Sequence, residues 1–522
     1  MSPSRIWSQF YKRISEDRNT FTFFFLSIFF LFGLVGILNH AMWRDEMTIW
    51  LIVRDSESMA EFLRVIRYEP HPALWYFCVA LLYRIARDPI IMQLFHLILG
   101  TIAAYLFLRY SPFRTFQKVL FVFGYLPFYE YLVISRNYSL GMLFSFLFCA
   151  LYATRQQTYL WLAICLFFMA NCNAYSLFIA IALGLTLIVE VIFSRTLDYQ
   201  TRANLKNKLF SLAIFGIGVL TSIAFLIPPS DNLENGGLSR GWNLSFDIRH
   251  FFTALSRLWN SYIVLIIAGD SKYYSVLICG TLSLAIIALV AGIFWRKPLV
   301  LFFYAIATAE ILLFTYIKFL GAQRHFGHLY LVLIISFWLA SYYKKRELSP
   351  QIPKNRNTRN TAIAQWLTFS QRQGKTFLNI LLCCQLIGGI VAFSRDFTIP
   401  YSASKAAAQY LQTNQLDRGF LVGSQDVAMS PLCGYLNRKI YYPERQALGS
   451  FVLFNRSRTE VDSGEVLRQV SEKLQTATEE VILILNYELK ETRGDLSILP
   501  LEKFVDSLIY NEKYYLYRVR RE

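Results

Sequence analysis

Long runs of apolar residues, separated by short polar segments, dominate the pattern along the chain. Eleven runs are long enough, or nearly long enough, to cross a bilayer as helices, which takes roughly 20 residues. They lie at 21–39, 90–109, 119–134, 138–153, 159–173, 175–194, 209–227, 272–294, 299–318, 326–343 and 377–393. The pattern predicts a polytopic α-helical membrane protein with about eleven spans, within a range of roughly ten to thirteen.

A further apolar run, 72–86, is predicted to lie along the membrane surface rather than to cross it. The run is short, begins with two prolines and ends in Arg84 and Arg87. If it does not cross, the N-terminus and the main basic clusters all lie on the cytoplasmic side, as the positive-inside rule prefers. Those clusters are 109–118, 195–208 and 344–376. We therefore expect an interfacial helix at 72–86.

This topology divides the chain into three regions. Residues 1–20 form a cytoplasmic tail, 21–393 the transmembrane domain and 394–522 an extracytoplasmic domain. Within the transmembrane domain, a long first outer loop (40–89) carries juxtamembrane helices and a basic loop (344–376) faces the cytoplasm. The N-terminus is therefore expected inside and the C-terminus outside.

Two further features concern the outer face. Residues 228–271 are expected to form a second outer segment. The interruptions at Pro127 and at Asn171–Asn173 are expected to mark broken helices above a cavity, because irregular backbone within a membrane is tolerated where it lines one.

The C-terminal region has the pattern of a small α/β domain. Alternating and β-branched segments predict strands at 419–423, 439–443, 480–487 and 514–519. Apolar residues at helical spacing predict helices at 403–413 and 462–478. This region is long enough to fold as a domain of its own.

Composition narrows the class of function. The net charge of +17 would suggest nucleic acid in a soluble protein, but here the basic residues lie between apolar runs and set topology, so no nucleic-acid partner is expected. The eight cysteines show no regular spacing and mostly lie within apolar runs. Neither a disulfide framework, a metal site nor a cofactor is expected.

Charged residues gather at the predicted outer face of the membrane. Charges there are costly unless they are solvated, paired or functional. The acidic pair Asp45 and Glu46 follows the first span, and further candidates lie in later outer segments. The full set adds Glu69, His71, Glu130, Arg136, Arg324, His325 and His328. A carboxylate can take a proton from an acceptor hydroxyl, and cations can stabilise a departing phosphate. The combination suits transfer of a sugar from a lipid-linked sugar phosphate.

Four segments, WRDE, EPHPALWY, SRNYSL and QRHFGHLY, give the chain a resemblance to a known family. Their order and spacing resemble the GT-C integral membrane glycosyltransferases, in the branch of the protein O-mannosyltransferases and the lipid A aminoarabinose transferase. The resemblance covers about residues 20–345. The chain departs from the family pattern in one place, since it reads HPAL where the family usually reads HPPL.

The resemblance implies a role for each candidate residue. Asp45 corresponds to the catalytic base, and Glu46 would orient the site or the acceptor. His71, Arg136, Arg324 and His325 would contact the donor phosphate, with supporting roles expected for Glu69, Glu130, Tyr138 and His328. The implied reaction inverts the sugar's configuration, uses a polyprenyl-phosphate-sugar donor and modifies a lipid, glycan or protein.

One alternative stays open, a transporter or flippase of lipid-linked saccharides. Such a protein would need charges deep within its spans and usually two related halves, and the sequence shows no internal repeat. Either function places the protein in the plasma membrane, the inner membrane of a diderm bacterium, with the C-terminal domain in the periplasm.

Overall fold

The computed structural model describes residues 17–69, 71–194, 201–233, 241–267, 269–270, 272–344, 362–476 and 479–522. Among these residues, eight helices are long and apolar enough to cross a membrane. They are α1 (Arg18–Asn39), α5 (Ile90–Tyr110), α7 (Tyr138–Leu151, extended by a 3₁₀ turn to Gln156), α9 (Ala174–Ile192), α10 (Leu205–Leu226), α12 (Tyr273–Phe294), α13 (Pro298–Ile317) and α16 (Ala362–Thr398). The protein is therefore an integral membrane protein, as its hydrophobic pattern predicts.

The other three predicted spans form shorter helices, so the count of about eleven spans is not confirmed. Run 119–134 divides into α6 (Thr115–Val122) and a π-helix (Tyr125–Val133) that contains Pro127. Run 159–173 forms α8 (Leu160–Ala170), and run 326–343 forms α14 (Gln323–Phe326) and α15 (His328–Ala340). Proline lacks the N–H that an α-helix needs, which explains irregular helix geometry at Pro127.

Two helices extend beyond the apolar runs predicted for them. The first span begins at Arg18 rather than 21, because the carboxylate of Asp17 accepts hydrogen bonds from the N–H groups of Asn19 and Thr20 and caps the helix there. Helix α16 begins at Ala362, within the predicted basic loop (344–376), and has 37 residues. Residues 345–361 of that loop, and 1–16 of the tail, lie outside the described residues.

The first outer loop is helical. It contains α2 (Arg44–Asp55), α3 (Met59–Val65), a 3₁₀ turn (Ile66–Tyr68) and α4 (Leu74–Ile85). The 12 residues of α4 are too few to cross a bilayer, which agrees with the interfacial interpretation of run 72–86.

The second outer segment contains a helix that the sequence reading missed. Within 228–271, α11 (Ile248–Tyr262) is amphipathic and packs its buried face, including Leu258 and Tyr262, against the bundle. Residues 234–240 of this segment lie outside the described part of the chain.

The C-terminal region forms one six-stranded sheet with helices, as predicted. The strands are β1 (Phe420–Ser424), β2 (Ile440–Tyr442), β3 (Ala447–Gly449), β4 (Glu480–Leu485), β5 (Leu496–Phe504) and β6 (Tyr514–Arg521). Their order is β3-β2-β1-β4-β6-β5, and β1 is parallel to both β2 and β4. The helices are α17 (Ser404–Thr413), α18 (Ser430–Leu436) and α19 (Ser463–Thr476). Strands β3 and β5 and helix α18 were not predicted.

The sheet domain and the first outer loop share a hydrophobic core. Met47 on α2 lies so close to Gly434 on α18 that a Cβ at Gly434 would come within 2.6 Å of the Met47 sulfur. The hydroxyl of Tyr435 accepts the N–H of Met42, and Glu512 accepts the N–H of Arg44 at the start of α2. The C-terminal domain is therefore fixed against the helix that carries Asp45.

Candidate functional site

A cavity of about 460 Å³ lies where the helical bundle, the first outer loop and the C-terminal domain meet. Most of the predicted site residues line it. The full lining is Arg44, Asp45, Thr48, Glu69, His71, Arg136, Tyr138, Asn173, Ala174, Tyr175, Phe314, Phe319, Arg324, His325, Val427, Ser430, Val452 and Phe454. Residues that are distant in sequence thus form one polar chamber with apolar walls.

Asp45 lies among three arginines. One carboxylate oxygen, Oδ2, lies 3.1 Å from Nη2 of Arg324 and 3.7 Å from Nη2 of Arg136. The other, Oδ1, lies 3.8 Å from Nε of Arg44. Burial alone would raise the pKa of Asp45, but the positive charges of these arginines and the neighbouring His71 hold it below its ordinary value. Asp45 is therefore ionised at neutral pH and organises the cationic groups.

Glu46 points away from the cavity, although it is adjacent to Asp45 in sequence. Its side chain is fully buried and accepts hydrogen bonds from the backbone N–H groups of Ser135 (2.6 Å) and Trp43 (3.2 Å). It also lies 3.0 Å from Nε2 of His40. The expectation that Glu46 orients the site fits this position, but direct contact with an acceptor does not, because successive residues of a helix point in different directions.

His40 joins Glu46 to the last membrane helix. Its Nδ1 lies 2.9 Å from Oδ2 of Asp396 on α16, so its imidazole bridges two buried carboxylates. Burial lowers the pKa of His40, but the two carboxylates outweigh that effect and raise it to about 10. The ring is therefore a doubly protonated imidazolium that ties the start of the first outer loop to α16.

His71 and Arg136 form a directed pair. Nη2 of Arg136 donates to Nε2 of His71 over 3.0 Å, and a second guanidinium nitrogen donates to the backbone carbonyl of Asp45. Burial and the charge of Arg136 lower the pKa of His71 to about 3, so the ring is neutral. Since Nε2 accepts, Nδ1 carries the proton, and among the described residues this N–H has no partner.

Arg324 and His325 lie together on the short helix α14. The Arg324 guanidinium lies over the ring of Trp43, 4.8 Å from its centroid, while it bonds Asp45. His325 accepts the N–H of Ala322 through Nδ1, so its Nε2 carries the proton. Burial and the charge of Arg324 lower the pKa of His325 well below its ordinary value, so this ring is neutral too.

The four supporting residues separate into two groups. Glu69 and Tyr138 line the cavity, whereas Glu130 and His328 lie behind it. Glu130 accepts the hydroxyl of Tyr125 at 2.5 Å, and His328 contacts Tyr131, whose hydroxyl also donates to the Arg324 carbonyl. Both were expected in supporting roles, and neither lines the cavity. His328 reaches the backbone that carries Arg324 through Tyr131.

Glu69 has a different electrostatic environment from Asp45. No arginine forms an ion pair with it among the described residues. Burial raises the pKa of Glu69 to about 7, against the opposing charge of Arg136. The two cavity carboxylates thus differ, one ionised throughout the neutral range and one that titrates within it.

Several lining residues were missed by the sequence reading. The polar interruption at Asn171–Asn173 gave a signal, and Asn173 does line the cavity at the start of α9. The amide nitrogen of Asn173 and the hydroxyl of Tyr175 are buried and have no partner among the described residues. Buried groups of this kind are normally satisfied by water or a ligand. The four residues of the C-terminal domain carried no sequence signal at all.

Comparison with known proteins supports the fold. The chain resembles the crystal structure of ArnT from Cupriavidus metallidurans in the apo state, with a TM-score of 0.52 and 12% identity over 96% of this chain and 98% of that chain. A crystal structure of the same ArnT bound to undecaprenyl phosphate aligns with a TM-score of 0.47 and 12% identity, over 95% of this chain and 98% of that one. No family model and no curated protein matches the sequence. The fold is therefore ArnT-like, as expected from the GT-C resemblance.

Proposed function

We propose that the protein transfers a sugar from a polyprenyl-phosphate-linked donor to an extracytoplasmic hydroxyl group, with inversion at the sugar. The observation that carries this proposal is the placement of Asp45 between Arg136 and Arg324 in one cavity at the end of the helical bundle. The cavity joins a carboxylate that can take a proton with cations that suit a phosphate. The GT-C fold adds support at the level of architecture.

The arginines and the neutral histidines suit the donor phosphate in different ways. Arg136 and Arg324 supply charge, and the Nδ1–H of His71, which has no partner among the residues that the structure describes, supplies a neutral hydrogen bond. Charge on the phosphate grows as the bond to the sugar breaks. The arginines and His71 therefore bind the transition state more tightly than they bind the intact sugar phosphate.

The reaction moves a proton from the acceptor to Asp45 and leaves the electron pair of the broken sugar–phosphate bond on the phosphate. The acceptor hydroxyl gives its proton to Asp45 while its oxygen bonds to the anomeric carbon. The bond from that carbon to the phosphate oxygen breaks, and its electron pair remains on the phosphate. Because the acceptor enters opposite the leaving phosphate, the configuration inverts.

Donor binding would also prepare the base. While Arg136 and Arg324 contact Asp45, its carboxylate is a weak proton acceptor. A phosphate that draws the two guanidinium groups toward itself raises the pKa of Asp45. Asp45 then becomes an effective base only when the sugar-phosphate donor is bound. This reduces wasteful hydrolysis, in which water would take the place of the acceptor.

The proposal needs the N-terminus in the cytoplasm and the cavity and C-terminal domain outside the plasma membrane. The positions of the basic clusters favour this topology. A transporter of lipid-linked saccharides would use charges along a path through the membrane. The charged lining described above instead gathers at one end of the bundle.

The test is release of polyprenyl phosphate from a panel of polyprenyl-phosphate sugars by the full chain in nanodiscs, with cell-envelope extract as acceptor. We expect the unchanged protein to turn over at least one donor and Asp45→Asn to lose activity by about 100-fold or more. Glu57→Gln, an exposed carboxylate of the same loop outside the cavity, is the matched control and should retain activity. Equal turnover by Asp45→Asn, or no turnover of any donor by the unchanged protein, contradicts the proposal.

A further inference from the structure

The cavity has two walls of different chemistry. Every charged side chain in its lining comes from the helical part or the first outer loop. The C-terminal domain contributes Val427, Ser430, Val452 and Phe454, which present apolar surface and a single hydroxyl. A ligand that spans the cavity therefore meets cations on one side and an uncharged wall on the other.

The uncharged wall is built at a place where α/β sheets commonly bind ligands. Residues 427–430 follow the carboxyl end of β1, whose two neighbours, β2 and β4, both run parallel to it. In an open sheet, such a position between parallel strands forms a crevice beyond their carboxyl ends. Here Val427 and Ser430, which lie beyond the carboxyl end of β1, line the cavity.

A buried polar network holds this wall in place. Arg458 donates two hydrogen bonds to Asp426, the residue before the wall segment, at 2.9 and 3.0 Å. Glu444 accepts the hydroxyl of Ser424 at 2.7 Å and the N–H of Asp426 at 3.3 Å. Asp426 and Glu444 are almost completely buried. The wall is thus a fixed surface, as binding sites that discriminate between ligands require.

The net positive charge of the opposite wall is enough to balance the phosphate of the sugar donor and no further anion. The guanidinium groups of Arg44, Arg136 and Arg324 face the carboxyl groups of Asp45 and Glu69, while both histidines are neutral. This leaves one net positive charge when Glu69 is ionised and two when it is protonated. A donor phosphodiester carries one negative charge and the released monoester up to two. Among the lining residues that the structure describes, no cation is left over for an anionic acceptor.

We propose that Val427, Ser430, Val452 and Phe454 form the acceptor subsite, and that the acceptor is an uncharged carbohydrate. This inference rests on the proposed sugar transfer. The apolar C–H face of a sugar ring packs on Phe454 and the valines, and the Ser430 hydroxyl bonds one ring hydroxyl. Pockets with mostly apolar walls and a few polar groups orient ligands in this way. The reacting hydroxyl then points across the cavity to Asp45.

The experiment measures acceptor and donor KM separately for the full chain in nanodiscs, with a donor that cell-envelope extract shows to be turned over. The acceptor probes are a neutral methyl disaccharide, its phosphate monoester and a serine-containing peptide. We expect transfer to the neutral disaccharide. Phe454→Ala and Ser430→Ala should raise its KM by about tenfold and leave the donor KM unchanged. Leu499→Ala, an exposed apolar residue on β5 outside the cavity, is the matched control.

The possible results separate this inference from the proposed function. Preference for the phosphorylated disaccharide or the peptide overturns the assignment of a neutral carbohydrate, and so does transfer to extract with none to the three probes. Unchanged acceptor KM in both variants overturns the subsite. Failure to turn over any donor with extract removes the proposed function, and this inference falls with it.

Discussion

Replacing Glu46 by glutamine tests how the protein holds its first outer loop. Glu46 accepts the N–H groups of Ser135 and Trp43 and pairs with His40, and all these contacts are buried. Glutamine keeps the shape but has one carbonyl oxygen instead of two carboxylate oxygens, so its NH₂ group must face a donor. His40 would retain only Asp396 as an anionic partner.

The expected cost is large for a substitution of one group. Removal of one partner from a buried ion pair destabilises a protein by about 3–5 kcal/mol. Because His40 keeps its second carboxylate, we expect about 3 kcal/mol for Glu46→Gln. By comparison, Glu472 forms an exposed pair with Arg468 on α19, and Glu472→Gln should leave the stability almost unchanged.

The stabilisation by His40 depends on pH, because the ring stabilises the fold only while it is protonated. The pKa of His40 is raised in the folded protein to about 10. Its stabilisation is therefore fully present below the ordinary histidine pKa, near 6.5, and is lost as the pH rises through about 10. In Glu46→Gln the pKa of His40 is raised less, so the loss, which begins near the ordinary histidine pKa in both proteins, is smaller and is complete at lower pH.

The assay is unfolding of the purified protein in mixed micelles by titration with SDS, followed by circular dichroism between pH 6 and pH 10. Glu46→Gln should unfold at lower SDS than the unchanged protein, and Glu472→Gln should not. If Glu46→Gln is as stable as the unchanged protein over this range, the bridge between the first outer loop and α16 does not stabilise the fold as argued here.

Three further predictions concern the cavity and the opposite end of the bundle. Protonated Glu69 leaves the cavity more positive, so the donor KM should rise as the pH passes upward through about 7, and Glu69→Gln should show no such rise in initial-rate measurements. Arg324→Lys keeps the charge but loses the planar guanidinium that bonds Asp45, so kcat/KM for the donor should fall by about 10-fold to 100-fold in the same assay, while a wild-type value would refute the contact. Glu190→Gln removes the charge from the buried pair with Arg155, whose atoms lie 3.0 Å apart and outside the cavity. SDS titration should show a loss of about 3 kcal/mol, with kcat unchanged in the protein that remains folded.

The sequence predicted which residues lie at the site better than it predicted how they are arranged. The motif around Asp45, the histidine at 71 and the basic residues Arg136 and Arg324 could be chosen because charged groups are costly near a membrane and need a use. The structure brings these residues to one cavity. Their proposed roles remain predictions that the experiments above address.

Neighbouring residues could not be separated by sequence alone. Asp45 and Glu46 carry the same charge and lie on the same helix, yet one faces the cavity and the other is buried against Ser135. The direction of each side chain depends on how α2 docks against the bundle. A pattern along one segment contains no information about that docking.

The number of spans shows a similar limit. Hydropathy located each apolar run, because the membrane selects for apolar composition over a fixed length. Whether a run forms one helix or two depends on local backbone geometry, as in the π-helix that contains Pro127.

The sequence by itself determined the membrane class, the positions of the apolar segments and the α/β character of the C-terminal region, since each follows from local composition and period. Only the tertiary structure decided that Val427, Ser430, Val452 and Phe454 complete a cavity begun by Asp45. These four residues have no unusual local chemistry. Their position follows from contacts between parts of the chain nearly 400 residues apart, such as the bond from Met42 to Tyr435, and contacts over that separation depend on the packing of the whole fold.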